Sequence, residues 1–126
     1  MKAITNGKII LKDRIVEGSA LLYSSIVEGI VPESSVIEII DAKGGYVLPG
    51  LIDMHIHGYL GKDVCDGEQE SIRTISKGLL ANGVTGYLPT TMTVDMAVIK
   101  KALDVCRELK EESKHWQGCT ILGCHA

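Results

Sequence analysis

The rhythm of apolar and polar positions changes near residue 50. Before it, short alternating or apolar runs of four to eight residues are broken by turn residues: KAIT, KIIL, RIVEG, SALLYSS, SIVEGIV and SVIEIIDA. In the last run Val36, Glu38 and Ile40 alternate with Ile37, Ile39 and Asp41. Asn6-Gly7 sits between the first two runs, a dipeptide that favours a two-residue hairpin. Closely spaced short strands of this kind predict a small all-β unit. About fifty residues bury little apolar surface by themselves, so its strands need a second layer.

After Tyr46 the pattern lengthens. GYVLPGLIDMHIHG reads as a dense apolar strand of the type covered on both faces. In DGEQESIRTISKGLLANG, Ile72, Ile75 and Leu79 recur at helical spacing, and Asn82-Gly83 marks the stop. VTGYLP predicts a second strand. A second helix is expected from about Val94 to Ser113, capped by Thr93, with Ile99, Leu103, Cys106 and Leu109 in one stripe and Met96 and Ala102 beside it. CTILGCHA predicts a third strand.

A β-α-β-α-β order implies a parallel sheet. Three parallel strands with two helices leave an open edge and an uncovered face. The pattern therefore reads as the start of a (β/α)8 barrel, a fold that needs roughly 250 residues. The expected division is 1–48 for the β-rich unit and 49–126 for the first barrel strands and helices. The exposed edge predicts self-association as a homo-oligomer.

The 126 residues carry a net charge of −3. That balance argues against a nucleic-acid partner, and the basic residues Lys100, Lys101, Arg107 and Lys110 are interleaved with acids as on a solvated helix face. No apolar run is long enough to span a bilayer, and the first residues lack a signal-peptide core. Cys65, Cys106, Cys119 and Cys124 form no C-x-x-C pair. They are read as reduced thiols, with Cys119 and Cys124 too loosely spaced for a usual zinc pair, and the expected compartment is cytoplasmic.

Candidate chemistry concentrates in LPGLIDMHIHG. On a strand, residues i and i+2 face the same way, so His55 and His57 project together about 7 Å apart. Two neutral imidazoles at the C-terminal end of a barrel strand can meet one divalent cation; hydrogen bonds to buried carbonyls are the alternative use. Asp53 shares their parity. It either orients His55 or ties down a neighbouring backbone group. His125, at the end of the third strand, is a candidate lining residue at the same mouth, whereas His115 is expected at the surface. The threonines of LPTTMT either line the site or cap the second helix. No nucleophile elbow, P-loop or dinucleotide fingerprint is present in the sequence.

VLPGLIDMHIHG resembles the first barrel strand of the amidohydrolase superfamily, with its H-x-H after a P-G-x-[IV]-D lead-in. HGYLGKDVCDG, GVTGYLPTTMT and ILGCHA extend the likeness toward the N-acetylglucosamine-6-phosphate deacetylase branch. The resemblance implies a small β-sandwich built from both chain ends around a metal-bearing barrel. It implies hydrolysis of a small-molecule amino-sugar phosphate to glucosamine 6-phosphate and acetate. It places His55 and His57 as metal ligands for zinc, iron, cobalt or nickel, and expects a further glutamate ligand, two later histidines and the general base beyond Ala126. On that basis the 126 residues alone are expected to be inactive. Other amidohydrolases acting on cyclic amides or nucleobases share H-x-H, and a non-catalytic self-associating module is the alternative of a different class.

Overall fold

The computed structural model describes residues 1–35 and 39–126. The chain divides into two compact units, Met1–Pro49 and Gly50–Ala126.

In the first unit the strands are β1 (Lys2–Thr5), β2 (Lys8–Ile10), β3 (Ile15–Val16), β4 (Ser19–Tyr23), β5 (Val27–Pro32), β6 (Ile39–Asp41) and β7 (Tyr46–Val47). Residues 36–38 of the expected SVIEIIDA strand lie outside the described residues. The strands form two sheets, ordered β5-β4-β1-β6 and β3-β2-β7. The hairpin expected at Asn6-Gly7 does not form. β1 pairs with β4 and β6, and β2 with β3 and β7, so Asn6-Gly7 carries the chain from one sheet to the other. Asn6 takes a left-handed φ of 51°, a conformation asparagine tolerates. Its amide N–H donates to Glu33 Oε1 at 2.6 Å and its Nδ2 to Asp41 Oδ1 at 2.8 Å. These bonds satisfy the turn without a paired neighbour strand. Ala3, Ile9 and Ala20 are buried, while Ile15, Val27, Tyr46 and Leu48 are exposed, so the apolar content of this unit is only partly covered.

The second unit begins with β8 (Leu51–Ile56), followed by a short hairpin of β9 (Gly58–Tyr59) and β10 (Lys62–Asp63). Next come α1 (Gln69–Leu80), β11 (Val84–Pro89), α2 (Met96–Leu109) and β12 (Thr120–Ile121). The apolar run from Tyr46 is therefore two strands in two units, broken at Leu48-Pro49-Gly50. A proline cannot donate to a ladder, and Gly50 lies so close to Thr85 that a Cβ there would clash. β12, β11 and β8 form a parallel sheet in that order.

α1 buries Ile72, Ile75 and Leu79 as the periodicity predicts, and α2 buries Ala102, Val105, Cys106 and Leu109. These side chains pack with Tyr87, Cys119 and Ile121 of the sheet region. The buried stripe of α2 is thus turned relative to the sequence reading: Ile99 and Leu103 are half-buried and Met96 is exposed. The cap is Asp95, whose carboxylate accepts from Ala97 N–H at 2.8 Å, and α2 begins at Met96 rather than Val94. An aspartate accepts such a bond as readily as a threonine and stands adjacent to the first helical residue. The third strand is only two residues long, with an isolated bridge between Thr90 and His125 beyond it.

β8 is not covered on both faces. Leu51, Ile52 and Met54 are more than half exposed (56%, 61% and 69%), and among the described residues β8 is an edge strand paired only with β11. No helix among the described residues is long and apolar enough to cross a membrane.

Candidate metal centre

Three parallel strands end together, and each delivers one part of the site. His55 lies near the end of β8 and His57 just after it. Thr90 follows β11, and His125 bridges to Thr90 after β12. The bridge is fixed by His125 N–H donating to the Pro89 carbonyl at 2.9 Å and Thr91 N–H donating to the His125 carbonyl at 3.0 Å.

The Nε2 atoms of His55 and His57 are 3.2 Å apart, with the rings edge-on and centroids 4.9 Å apart. His57 Nδ1 lies 3.2 Å from the Thr90 carbonyl oxygen. A carbonyl only accepts, so Nδ1 carries the proton and a neutral His57 has its lone pair on Nε2. Orientation of the far nitrogen by a backbone carbonyl is the usual arrangement of a metal-binding histidine. The ring of His125 stands edge-on to His55 at 4.8 Å between centroids, and its Nδ1–H donates to the Met54 carbonyl at 3.2 Å. Asp53 Oδ1 accepts from the His55 backbone N–H at 3.0 Å. Of the two uses open to Asp53 from the sequence, the carboxylate makes the backbone contact.

The donor set fits a divalent cation in part. Two nitrogens bound at about 2.0–2.1 Å to one tetrahedral ion lie roughly 3.3 Å apart, close to the 3.2 Å observed. Among the described residues no group of three or more His, Cys, Asp or Glu is arranged to hold a metal ion. The chain thus offers a converging pair rather than a full ligand shell.

The other candidates separate from this centre. His115 is exposed beyond α2, as expected. The Cys119 thiol is buried and donates to the Val84 carbonyl at 2.6 Å, and burial pushes it up to about 11 with the Asp53 charge adding to the effect. Cys124 interacts instead with the thiol of Cys106. Thr90 is the residue that sequence reasoning left unresolved. Its neighbours in LPTTMT gave no means of telling which threonine meets the histidines, because that depends on the sheet register.

A mixed α/β unit with imidazoles converging at the C-terminal ends of parallel strands is the arrangement in which α/β enzymes place their chemistry. The chain belongs to the amidohydrolase family, whose model matches residues 38–114. It is 38% identical over 79 residues to an N-acetylglucosamine-6-phosphate deacetylase from Vibrio furnissii, covering 63% of this chain and 19% of the relative. It is 32% identical over 96 residues to a dihydroorotase from Staphylococcus aureus, covering 74% of this chain and 22% of the relative. The chain therefore spans about a fifth of the length of the curated relatives it matches. The N-acetylglucosamine-6-phosphate deacetylase structure from Pasteurella multocida superposes with a TM-score of 0.88 at 27% identity, over 98% of this chain and 33% of that one.

Proposed function

We propose that this chain supplies the first metal ligands of a hydrolase that removes the acetyl group of N-acetylglucosamine 6-phosphate, giving glucosamine 6-phosphate and acetate. The observation that carries the reading is the convergence of His55 and His57 Nε2 at 3.2 Å, with His57 held by the Thr90 carbonyl. The likeness to the Pasteurella multocida deacetylase across both units supports the choice of substrate. In this reading residues 1–48 are the N-terminal part of a β-sandwich and 49–126 the first strands and helices of a (β/α)8 barrel.

The ion is a divalent metal of the zinc, iron, cobalt or nickel group, all suited to imidazole. When bound it supplies Lewis acidity and lowers the pKa of water. The chain's own residues hold and orient. His55 and His57 present nitrogen lone pairs, and Thr90 fixes the His57 tautomer. The Asp53 carboxylate holds the His55 amide through Oδ1. A catalytic site commonly uses three protein ligands. With two, the 126 residues alone are expected to show no turnover above a metal-only control. Self-association as a homo-oligomer and cytoplasmic residence belong to the same reading.

A substrate panel on the full-length protein containing this chain tests the function. Preferred hydrolysis of N-acetylglucosamine 6-phosphate is the expected result. Preference for dihydroorotate or hydantoin rings overturns it in favour of a cyclic-amide hydrolase, a reading favoured by the dihydroorotase match over the larger share of the chain.

A further inference from the structure

The ladder between β8 and β11 loses register at the site. Tyr87 pairs with Asp53 and Pro89 with Ile56, so three steps along β8 match two along β11. A bulge of this kind breaks the regular exchange of backbone hydrogen bonds and re-aims the side chains around it. Side chains meet the backbone there. Asp53 Oδ1 accepts from His55 N–H at 3.0 Å. The Met54 carbonyl accepts from His125 Nδ1–H at 3.2 Å. Ile56 N–H donates to Thr90 Oγ1 at 3.2 Å, and the same hydroxyl donates to the Leu88 carbonyl at 3.0 Å.

On a regular strand, side chains at i and i+2 run parallel, about 7 Å apart. The Nε2 atoms of His55 and His57 are 3.2 Å apart instead. The irregular backbone between Asp53 and Ile56 contains His55 and ends one residue before His57. We propose that Asp53, Thr90 and His125 are positioning residues that hold this bulge through its backbone and thereby keep His55 and His57 converged on one cation. The proposal rests on the reading of those two histidines as cation ligands. It gives Asp53, Thr90 and His125 a role distinct from ligation.

The test is a titration of the 126-residue chain with Co2+, followed by its visible spectrum, together with amide hydrogen exchange in the absence of metal. Loss of outer support to a metal ligand typically costs 10–100-fold in affinity. Asp53→Ala is expected to weaken Co2+ binding by about that factor. Asp53→Asn keeps a carbonyl acceptor for the His55 N–H and is expected to restore most of the affinity. Thr90→Val and Thr90→Ser form the second such pair. Wild-type affinity in Asp53→Ala, or equal weakening in Asp53→Ala and Asp53→Asn, overturns the positioning role. The His55→Ala, His57→Ala double variant separates the two ideas: undiminished Co2+ binding there overturns the ligand reading itself. Exchange reads the bulge independently of any cation. The His55 amide is expected to exchange slowly in wild type and Asp53→Asn and faster in Asp53→Ala, with the Tyr87 amide unchanged as a control for global opening. Equal His55 exchange in all three proteins overturns the positioning role whatever the Co2+ result.

Discussion

The Tyr87 hydroxyl donates to the Ser76 hydroxyl across 2.7 Å inside the second unit, joining β11 to α1. The direction follows from the second bond of Ser76, whose only proton goes to the Ile72 carbonyl at 2.8 Å. Both residues are fully enclosed. The two ends of this bond are therefore not equivalent. Ser76→Ala leaves a buried phenol donor without an acceptor and is expected to cost about 1–3 kcal/mol. Tyr87→Phe removes the donor and leaves Ser76 still bonded to Ile72, at about 0.5–1.5 kcal/mol. Urea denaturation of the two single variants checks the order, and the double variant should fall well short of the sum.

The same burial makes stability depend on alkaline pH. Burial holds the Tyr87 phenol well above its ordinary value of 10.0. The unfolded chain releases this proton near the ordinary value while the folded chain retains it. Between those two pH values the folded state binds more protons, so stability falls as pH rises. The contribution is complete below pH 10 and declines above it. Urea midpoints measured from pH 8 to pH 11 should drop, and Tyr87→Phe should flatten the part of the drop that belongs to this residue.

Gly58 closes the histidine strand for a steric reason. A Cβ at Gly58 would sit 2.2 Å from the Lys62 carbonyl oxygen, on the partner strand of the β9–β10 hairpin. The carbonyl belongs to the backbone and cannot rotate away. Gly58→Ala is expected to destabilise the chain by about 1–3 kcal/mol, as overpacking does. Because Val64 N–H donates to the His57 carbonyl at 2.8 Å in the same turn, the variant should also displace His57. Chemical denaturation gives the first effect, and weakened Co2+ binding gives the second.

The four thiols should react unequally. Cys124 is exposed, and the neighbouring Cys106 thiol lowers its pKa below that of an ordinary thiol. Cys106 is correspondingly raised, first by its Cys124 neighbour and then by burial, and Cys119 is raised to about 11. Thiolate is the reactive form. Brief iodoacetamide treatment at pH 7.5 followed by peptide mass spectrometry should therefore find Cys124 modified ahead of Cys106 and Cys119. Cys106→Ala removes the neighbouring thiol and should slow Cys124, a comparison that separates its effect from exposure alone.

Several features were legible from residue order because they depend on local chemistry. Ile72, Ile75 and Leu79 share a face at any helical spacing, and Asn82-Gly83 ends a helix wherever it stands. β11 follows from VTGYLP, and the shared side of His55 and His57 follows from strand parity. Other features required the fold. Asn6-Gly7 has the composition of a hairpin turn, yet its flanking strands find partners at residues 19–23, 39–41, 15–16 and 46–47. No local signal contains that choice. The dense apolar run at β8 looked buried because side-chain type records what a residue tolerates, while its exposure depends on which elements lie against it.

The sequence by itself determined the alternation of strands and helices, the helix faces to within a small rotation, and the pair of imidazoles, since each of these is set by spacing along one segment. Only the tertiary structure decided that the imidazoles converge. Around that pair it set a register slip between β8 and β11, the Thr90 carbonyl against His57 from 33 residues away, and His125 against the Met54 carbonyl from 71 residues away. Contacts at such separations are fixed by how strands align in the sheet, and residue order constrains that alignment only through the packing of the whole unit.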